Sequence, residues 1–359
     1  MKVSVALHML DKIYCWWRDG QIFTFAYSKG ALLYSLVDSG ELHSEAIYLA
    51  QVSKYNKSSQ NAFVKYGDGQ SGLVNLRPNT KVQEGSLLAL QLSWPGDAQK
   101  QPRLRSEWRI VGKYCVYFAR SSYCISGASA LQLAKVQQDI LLQLYPGHWV
   151  IRSAFRVAQQ SDLLAEEMQL IYSEVSQIQQ VLGARAKAGL SVYPGVPNYL
   201  KLLRSLPLAE NCTLTTNNSL INQQLLLKQN LWQIDSVTFD PQLACAGLIE
   251  NYGQEVILNN GATLEIHSLS GIHLLDINGA GLNISHAQLN FLVLDEVHRQ
   301  VCLRNLQGII LLDLVKNMKP TDEARIINYL ERLFKSDITN TKILGFTKAG
   351  LCEIIRERY

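Results

Sequence analysis

The chain has no CxxC pair: its seven cysteines stand at 15, 115, 124, 212, 245, 302 and 352. That spacing gives no support to a cysteine zinc cluster or a thioredoxin-type redox motif. An odd, scattered set fits reduced thiols in a cytosol. No run reaches the roughly 18 apolar residues that a membrane helix needs. The opening MKVSVALHMLDK is cut off by Asp11 and Lys12 and followed by no small-residue cleavage site, so it does not read as a leader. Cytoplasmic localisation is the resulting expectation, and the Asn211-Cys212-Thr213 acceptor pattern then carries no meaning. Charged residues are scarce at 18%, but 47% hydrophobic residues exclude a disordered chain. Net charge is only +4, so a nucleic-acid partner would need a local basic face. No internal repeat or low-complexity segment breaks the 359 residues, a length that predicts about two to four domains.

What the chain does have is a pair of short apolar runs that each end on aspartate. GIHLLDING spans 271–279, with Asp276 followed by Asn278, and GIILLDLV spans 308–315, with Asp313. Such runs, opened by glycine, read as buried strands. A carboxylate at the end of a buried strand is costly unless paired. Two on neighbouring strands would repel each other unless a cation lay between them. Mg²⁺ suits that place, because it takes oxygen ligands, keeps waters and binds through one or two carboxylates plus substrate phosphate. The competing reading makes each aspartate a cap on its strand or turn, and the residues alone leave both readings open.

Around these runs the texture is β first and α/β later. Asp19-Gly20 between two β-rich runs predicts a hairpin. Several short strands between about 41 and 110, including LLALQLSW, suggest a small barrel such as an OB-fold. Gly67, Gly69 and Gly72 form a GxGxxG there, but with no helix following they read as a hairpin turn. GKYCVYFA and HWVIRSAF read as strands, and 128–145 and 160–187 as helices. The stripe of Leu163, Leu164, Met168, Ile171, Val175, Ile178 and Val181 reads as core packing. Residues 188–246 are least readable. The last third alternates strand and helix, with helices over about 287–304 and 322–335.

Three stretches in order, LLDING at 274–279, CLRNLQGIILLDLV at 302–315 and GFTKAGLCEIIRER at 345–358, resemble the catalytic region of the bacterial ribonuclease E/G family. Upstream, QNAFVKYGDGQSGLVNL resembles that family's inserted RNA-binding OB-fold, and HWVIRSA the strand bearing its 5′-monophosphate sensor. The resemblance implies a multidomain α/β and α+β fold. Residues 1–36 and 198–246 would form a split RNase H-like domain, 37–110 an OB-fold, 111–197 a 5′-sensor subdomain and 247–359 a DNase I-like catalytic domain. It implies a Mg²⁺-dependent endoribonuclease acting on single-stranded RNA in processing or decay and leaving 5′-phosphate and 3′-hydroxyl ends. The resemblance allows a homodimer as a partner state, with no zinc link evident to join it.

Residue by residue, Asp276 and Asp313 fall where the family holds its metal, and Asn278 where an asparagine orients that site. The ion would bind the scissile phosphate, activate water and stabilise developing charge. Phe63 falls on an aromatic of the OB-fold face, where a base can stack, and Tyr48 is a second candidate. Lys100 falls on an RNA-contacting lysine, with Arg103 and Arg105 nearby. Arg152 matches the sensor arginine, and Ser153 stands where threonine is usual; a guanidinium fork plus a hydroxyl suits a terminal phosphate. The competing readings are barrel core for Phe63, a solvated loop for Lys100 and its arginines, and a local carboxylate partner for Arg152. His267, His273, His286 and His298 match no metal motif and read as surface or satisfied core residues.

Departures from the pattern point to a second function. Lys316 replaces an acid three residues after Asp313, Leu292 stands at a usual glutamate, and no arginine follows Asp337. Leu73 replaces the second aromatic of the OB-fold face, and no two-cysteine zinc link is evident. The first three touch the catalytic shell, and the missing zinc link puts zinc-bridged dimers and tetramers in doubt; Lys316 supports the alternative of an RNA-binding relative that has lost catalysis.

Overall fold

The computed structural model of the protein describes residues 9–38, 44–77, 80–96, 100–120, 122–155, 161–184, 187–248, 252–269, 271–279, 283–315, 319–335 and 337–357. Two compact units emerge, one made of Met1–Asp38 with Ser205–Arg358 and the other of Ser39–Arg204. The fold is mixed α/β.

The first unit opens with β1 (Leu10–Arg18), β2 (Gln21–Ser28) and β3 (Ala31–Asp38). The expected hairpin joins β1 and β2, with Asp19 and Gly20 at φ 51° and 80°. Two successive positive φ values are what a tight primed turn requires, and Asp-Gly is suited to them.

The second unit begins with β4 (Ile47–Asn56), β5 (Asn61–Tyr66), β6 (Gln70–Asn75), β7 (Leu87–Trp94) and β8 (Arg103–Arg105). These five close on themselves in the order β4-β5-β6-β8-β7, with β7 returning to β4. Only β6 and β8 run parallel. This is an OB-like barrel. Alternation sends Ala50, Val52, Ala62, Val64, Val74, Leu90, Leu92 and Leu104 into its interior. Gly67 and Gly69 turn β5 into β6, Gly72 lies within β6, and the next element is a strand, not a helix. At Gly72 the Leu104 side chain lies so close that no Cβ fits.

After the barrel come β9 (Arg109–Val111), β10 (Cys115–Phe118), β11 (Cys124–Ser126), α1 (Lys135–Leu144) and β12 (His148–Ile151), forming a sheet ordered β11-β12-β10-β9. The helix expected over 128–145 is broken. A 3-10 turn covers Ala128–Gln132, Leu133 and Ala134 are extended, and Gln137 then bonds back to the Ala134 N–H to start α1. Next are α2 (Ser161–Gly183), β13 (Ser191–Tyr193) and α3 (Asn198–Ser205). In α2 the predicted stripe is buried from Leu164 through Ile178, while Val181 is exposed.

The chain then returns to the first unit with β14 (Leu208–Thr216), α4 (Ser219–Trp232) and β15 (Ser236–Phe239), which extend the first sheet to β15-β14-β1-β2-β3. Last come β16 (Glu255–Ile257), β17 (Thr263–Leu269), β18 (Ile272–Asn278), α5 (His286–Leu303), β19 (Gly308–Asp313), α6 (Pro320–Phe334), β20 (Thr341–Phe346) and β21 (Cys352–Arg356). Pro320 at the first position, with Asp322 and Glu323 in the first turn, starts α6 as its sequence predicts. The six strands order as β16-β17-β18-β19-β21-β20. Leu264, Leu275, Ile277, Ile310, Leu312 and Ile354 pack against Leu289, Val293 and Val297 of α5 and Ile326, Leu330 and Leu333 of α6.

Candidate functional site

Because β18 buries His273, Leu275 and Ile277, the period of two turns Leu274, Asp276 and Asn278 to the opposite, solvent-facing side. In β19 Ile310 and Leu312 are buried, so Asp313 turns the same way. The strands run parallel with Asp276 directly beside Asp313. On the other flank β17 is antiparallel and sets Glu265 beside Asp276. Three carboxylates therefore stand in one row across three strands, spaced by the roughly 4.7–4.9 Å between neighbours.

The Asn278 amide Nδ2 donates to Asp276 Oδ2 at 3.2 Å and to Glu265 Oε1 at 3.3 Å. Its carbonyl oxygen is not used in either bond. His267 Nε2 lies 3.4 Å from Glu265 Oε2. Among the described residues, no lysine or arginine pairs with Asp276 or Asp313, and no three His, Cys, Asp or Glu side chains converge as a metal cage. The donor set is all oxygen, anionic and open to solvent. It fits a hard divalent ion held by two carboxylates and completed by water and phosphate, rather than a closed structural metal. At Gly279, just past β18, a Cβ would run into Leu289 of α5, so glycine lets the helix pack close behind the aspartate strand. Leu292 is 56% exposed on α5. Lys316 lies outside the described residues.

On the barrel, register sets Phe63 beside Leu73 and Leu73 beside Arg103. Lys54 of β4 lies across from Phe63 on the other side. Phe63 is 41% exposed, so its ring is on the outside of the barrel. Lys54 and Arg103 are exposed and Leu73 half-buried, giving an outward row of cation, aromatic, aliphatic and cation. Tyr48 needs correcting as a stacking candidate. It is 3% exposed and packs inside the barrel, its ring 5.0 Å from that of Tyr66. The strand's alternation points it inward, away from any base. Lys100 is exposed in the segment leading to β8.

Arg152 follows β12 and is half-buried. Its Nη1 donates to the carbonyl of Gly112, and to that of Arg204 at 3.0 Å. Burial, then the neighbouring Arg204, hold its guanidinium below the ordinary arginine range. Ser153 beside it is exposed. The carboxylate of Glu167, buried on α2, accepts from the backbone N–H groups of Lys113, Tyr114 and Cys115 at 2.7, 2.6 and 3.0 Å. The backbone next to Arg152 thus already holds an internal anion.

Sequence reasoning missed Glu265 and Lys54. Each reads as a polar residue on the solvent side of an alternating strand. Only the strand register, which the sequence does not print, brings them beside Asp276 and Phe63. His273 is a satisfied core histidine, bonded to Ser268 Oγ at 2.8 Å and to the Gln307 carbonyl at 3.0 Å.

The family model described as "Ribonuclease E/G family" matches residues 109–359. Ribonuclease G of Escherichia coli (strain K12) is 21% identical, over 87% of this chain and 72% of that protein. Ribonuclease E of Buchnera aphidicola subsp. Acyrthosiphon pisum is 22% identical over 87% of this chain and 39% of that protein. A ribonuclease E/G-like protein of Pyropia yezoensis is 20% identical over 87% of this chain and 68% of its own length.

Proposed function

The chain belongs to the ribonuclease E/G family, and from that premise we propose that it is a Mg²⁺-dependent endoribonuclease cutting single-stranded RNA. One observation carries the reading: Asp276 and Asp313 stand side by side on adjacent parallel strands, facing solvent. Two anions in register without a lysine or arginine partner among the described residues are poised for a cation and a phosphate. Bound there, Mg²⁺ would supply charge neutralisation at the scissile phosphate. Asp276 and Asp313 would hold it, while Asn278 fixes the Asp276 carboxylate through its amide. Phe63 would stack a base, with Lys54, Arg103 and Lys100 attracting the backbone. Arg152 and Ser153 would contact the 5′ end. On this reading the products carry 5′-phosphate and 3′-hydroxyl ends, the protein works in cytoplasmic RNA processing or decay, and it pairs as a homodimer. The domain scheme of a split RNase H-like domain, an inserted OB-fold, a 5′-sensor and a DNase I-like catalytic domain is part of the same proposal.

The test is incubation with a 5′-monophosphorylated, A/U-rich oligoribonucleotide and Mg²⁺. Internal cuts are expected, falling by about a hundredfold or more in Asp276→Asn and Asp313→Asn, the scale of losing a key electrostatic group. Cutting that persists unchanged in both variants would place the activity elsewhere. A second reading, RNA binding without catalysis, draws on Lys316 and on the exposed Leu292 where the family has acids. It predicts RNA binding indifferent to Mg²⁺ and no cuts; Mg²⁺-dependent turnover removes it.

A further inference from the structure

Within the unit Ser39–Arg204 an open hollow of about 510 Å³ is lined by Arg77, Ser106, Glu107, Ala119, Arg120 and Ser122. Two guanidiniums share one carboxylate there. Arg77 Nη2 lies 2.8 Å from Glu107 Oε2. Arg120 Nε donates to Glu107 Oε1, and its Nη2 to Oε2 at 3.2 Å. The Arg120 guanidinium also lies over the Phe118 ring, 5.0 Å from its centroid. A guanidinium carries five N–H donors, so one carboxylate cannot use the donors of two arginines. Glu107 therefore fixes both forks and leaves other edges for a second acceptor.

Buried His148 backs two of the lining residues. Its Nε2 is 3.5 Å from Arg120 Nη1, and its Nδ1 is 2.9 Å from Ser122 Oγ and 3.2 Å from Cys124 Sγ. The two arginines outweigh the one glutamate, so the hollow is cationic, and planar forks match the oxygens of a phosphate. It is separate from Arg152. His148 begins β12 and Arg152 follows its end, a separation of roughly 13 Å at ~3.3 Å per residue.

We propose that this hollow binds a phosphate group of an RNA chain or a nucleotide, gripped by Arg77 and Arg120 with Ser122 as a hydroxyl partner. Burial, then Arg120, hold the His148 imidazole below the usual histidine range, and an incoming anion would act against that shift. Binding here is independent of cutting, so it is measured without divalent ion.

The probes for calorimetry on the full chain are AMP, inorganic phosphate, and one oligoribonucleotide in 5′-phosphorylated and 5′-hydroxyl forms. Saturable binding of at least one is expected, weakened about tenfold by Arg120→Lys or Arg77→Lys, which keep the charge but lose the fork. Cys124 is an internal reporter. Six of the seven cysteines are buried and Cys124 is half-buried, so the bound probe should slow its alkylation by iodoacetamide. A preference for the 5′-phosphorylated oligoribonucleotide or AMP supports a terminal phosphate as the occupant. Equal binding of both oligoribonucleotides, lost in Arg120→Lys, supports a bridging phosphate. Binding of every probe unchanged in both lysine variants, or lost only in Arg152→Ala, overturns the proposal and leaves the ribonuclease reading untouched.

Discussion

Asp276 is flanked by like charge on both sides, Glu265 in β17 and Asp313 in β19. Like charges directly opposite one another across a sheet cost on the order of 0.2–1 kcal/mol per pair. The protein without divalent ion therefore carries a built-in strain that a cation would relieve. The expected outcome is a trade. In EDTA, Asp276→Asn should be as stable as the parent or up to about 1 kcal/mol more stable. Adding Mg²⁺ should raise the melting temperature of the parent and leave the variant unmoved. Differential scanning fluorimetry with and without Mg²⁺ checks both halves, and equal Mg²⁺ stabilisation of parent and variant would move the ion to other ligands. Asp276 and Asp313 were legible because each closes an apolar run in the sequence, although the structure turns both to the open face of the sheet and not into a buried strand end. Glu265 was not, because LEIH alternates as any half-exposed strand does, and its importance arises only from the residue it faces.

At the scale of elements, the barrel separates two aromatics that the sequence treats alike. Alternation shows which residues share a face but not which face is inside, and Tyr48 and Phe63 fall on opposite faces. Their alanine variants should therefore fail in different ways. Phe63→Ala should leave the melting temperature near that of the parent and weaken single-stranded RNA binding by ~1–3 kcal/mol, the worth of one base stacked on an aromatic ring. Tyr48→Ala should cost about 3–5 kcal/mol of stability, as large aromatic-to-alanine changes in cores do. Fluorescence anisotropy for binding, alongside urea denaturation for stability, checks the pair. Unchanged affinity in Phe63→Ala would take this face out of the RNA path. The helix α1 teaches a related lesson. Its apolar spacing reaches back to Ala128, yet the Gln137 bond to Ala134 starts the helix only at Lys135. Local capping outweighed periodicity.

The whole first unit is built from segments far apart in the chain, and that is where the sequence was least readable. β1 pairs in parallel with β14, setting Ile13 beside Leu214; nothing in either strand names its partner. β14, LAENCTLTT, is rich in threonine and lacks the long apolar run that made β18 and β19 plain. A buried ion pair helps to join such segments. Arg356 at the end of β21 bonds Asp337 through Nε at 2.6 Å and Nη2 at 3.0 Å, both side chains fully buried. Tyr34 of β3 donates to the same carboxylate at 3.2 Å. Arg356 Nη1 reaches Asn305 and the Leu306 carbonyl, both at 2.9 Å. Burial pushes the Asp337 carboxyl up, but Arg356 and its hydrogen bonds outweigh that and hold it below the usual aspartate range. A lowered folded value means stability that is present above the unfolded pKa of ~3.9 and lost as pH falls through the folded one. Asp337→Asn removes the anion and leaves Arg356 buried without it, so a loss of about 3–5 kcal/mol is expected at pH 7. Below about pH 4 the gap between parent and variant should narrow, because the unfolded parent's carboxylate then takes up protons while the folded one, with its lowered pKa, still resists them. Urea denaturation of both proteins at pH 7 and pH 3 measures the gap directly. A gap of the same size at both values would mean that the pair stabilises the unit by packing and not by charge.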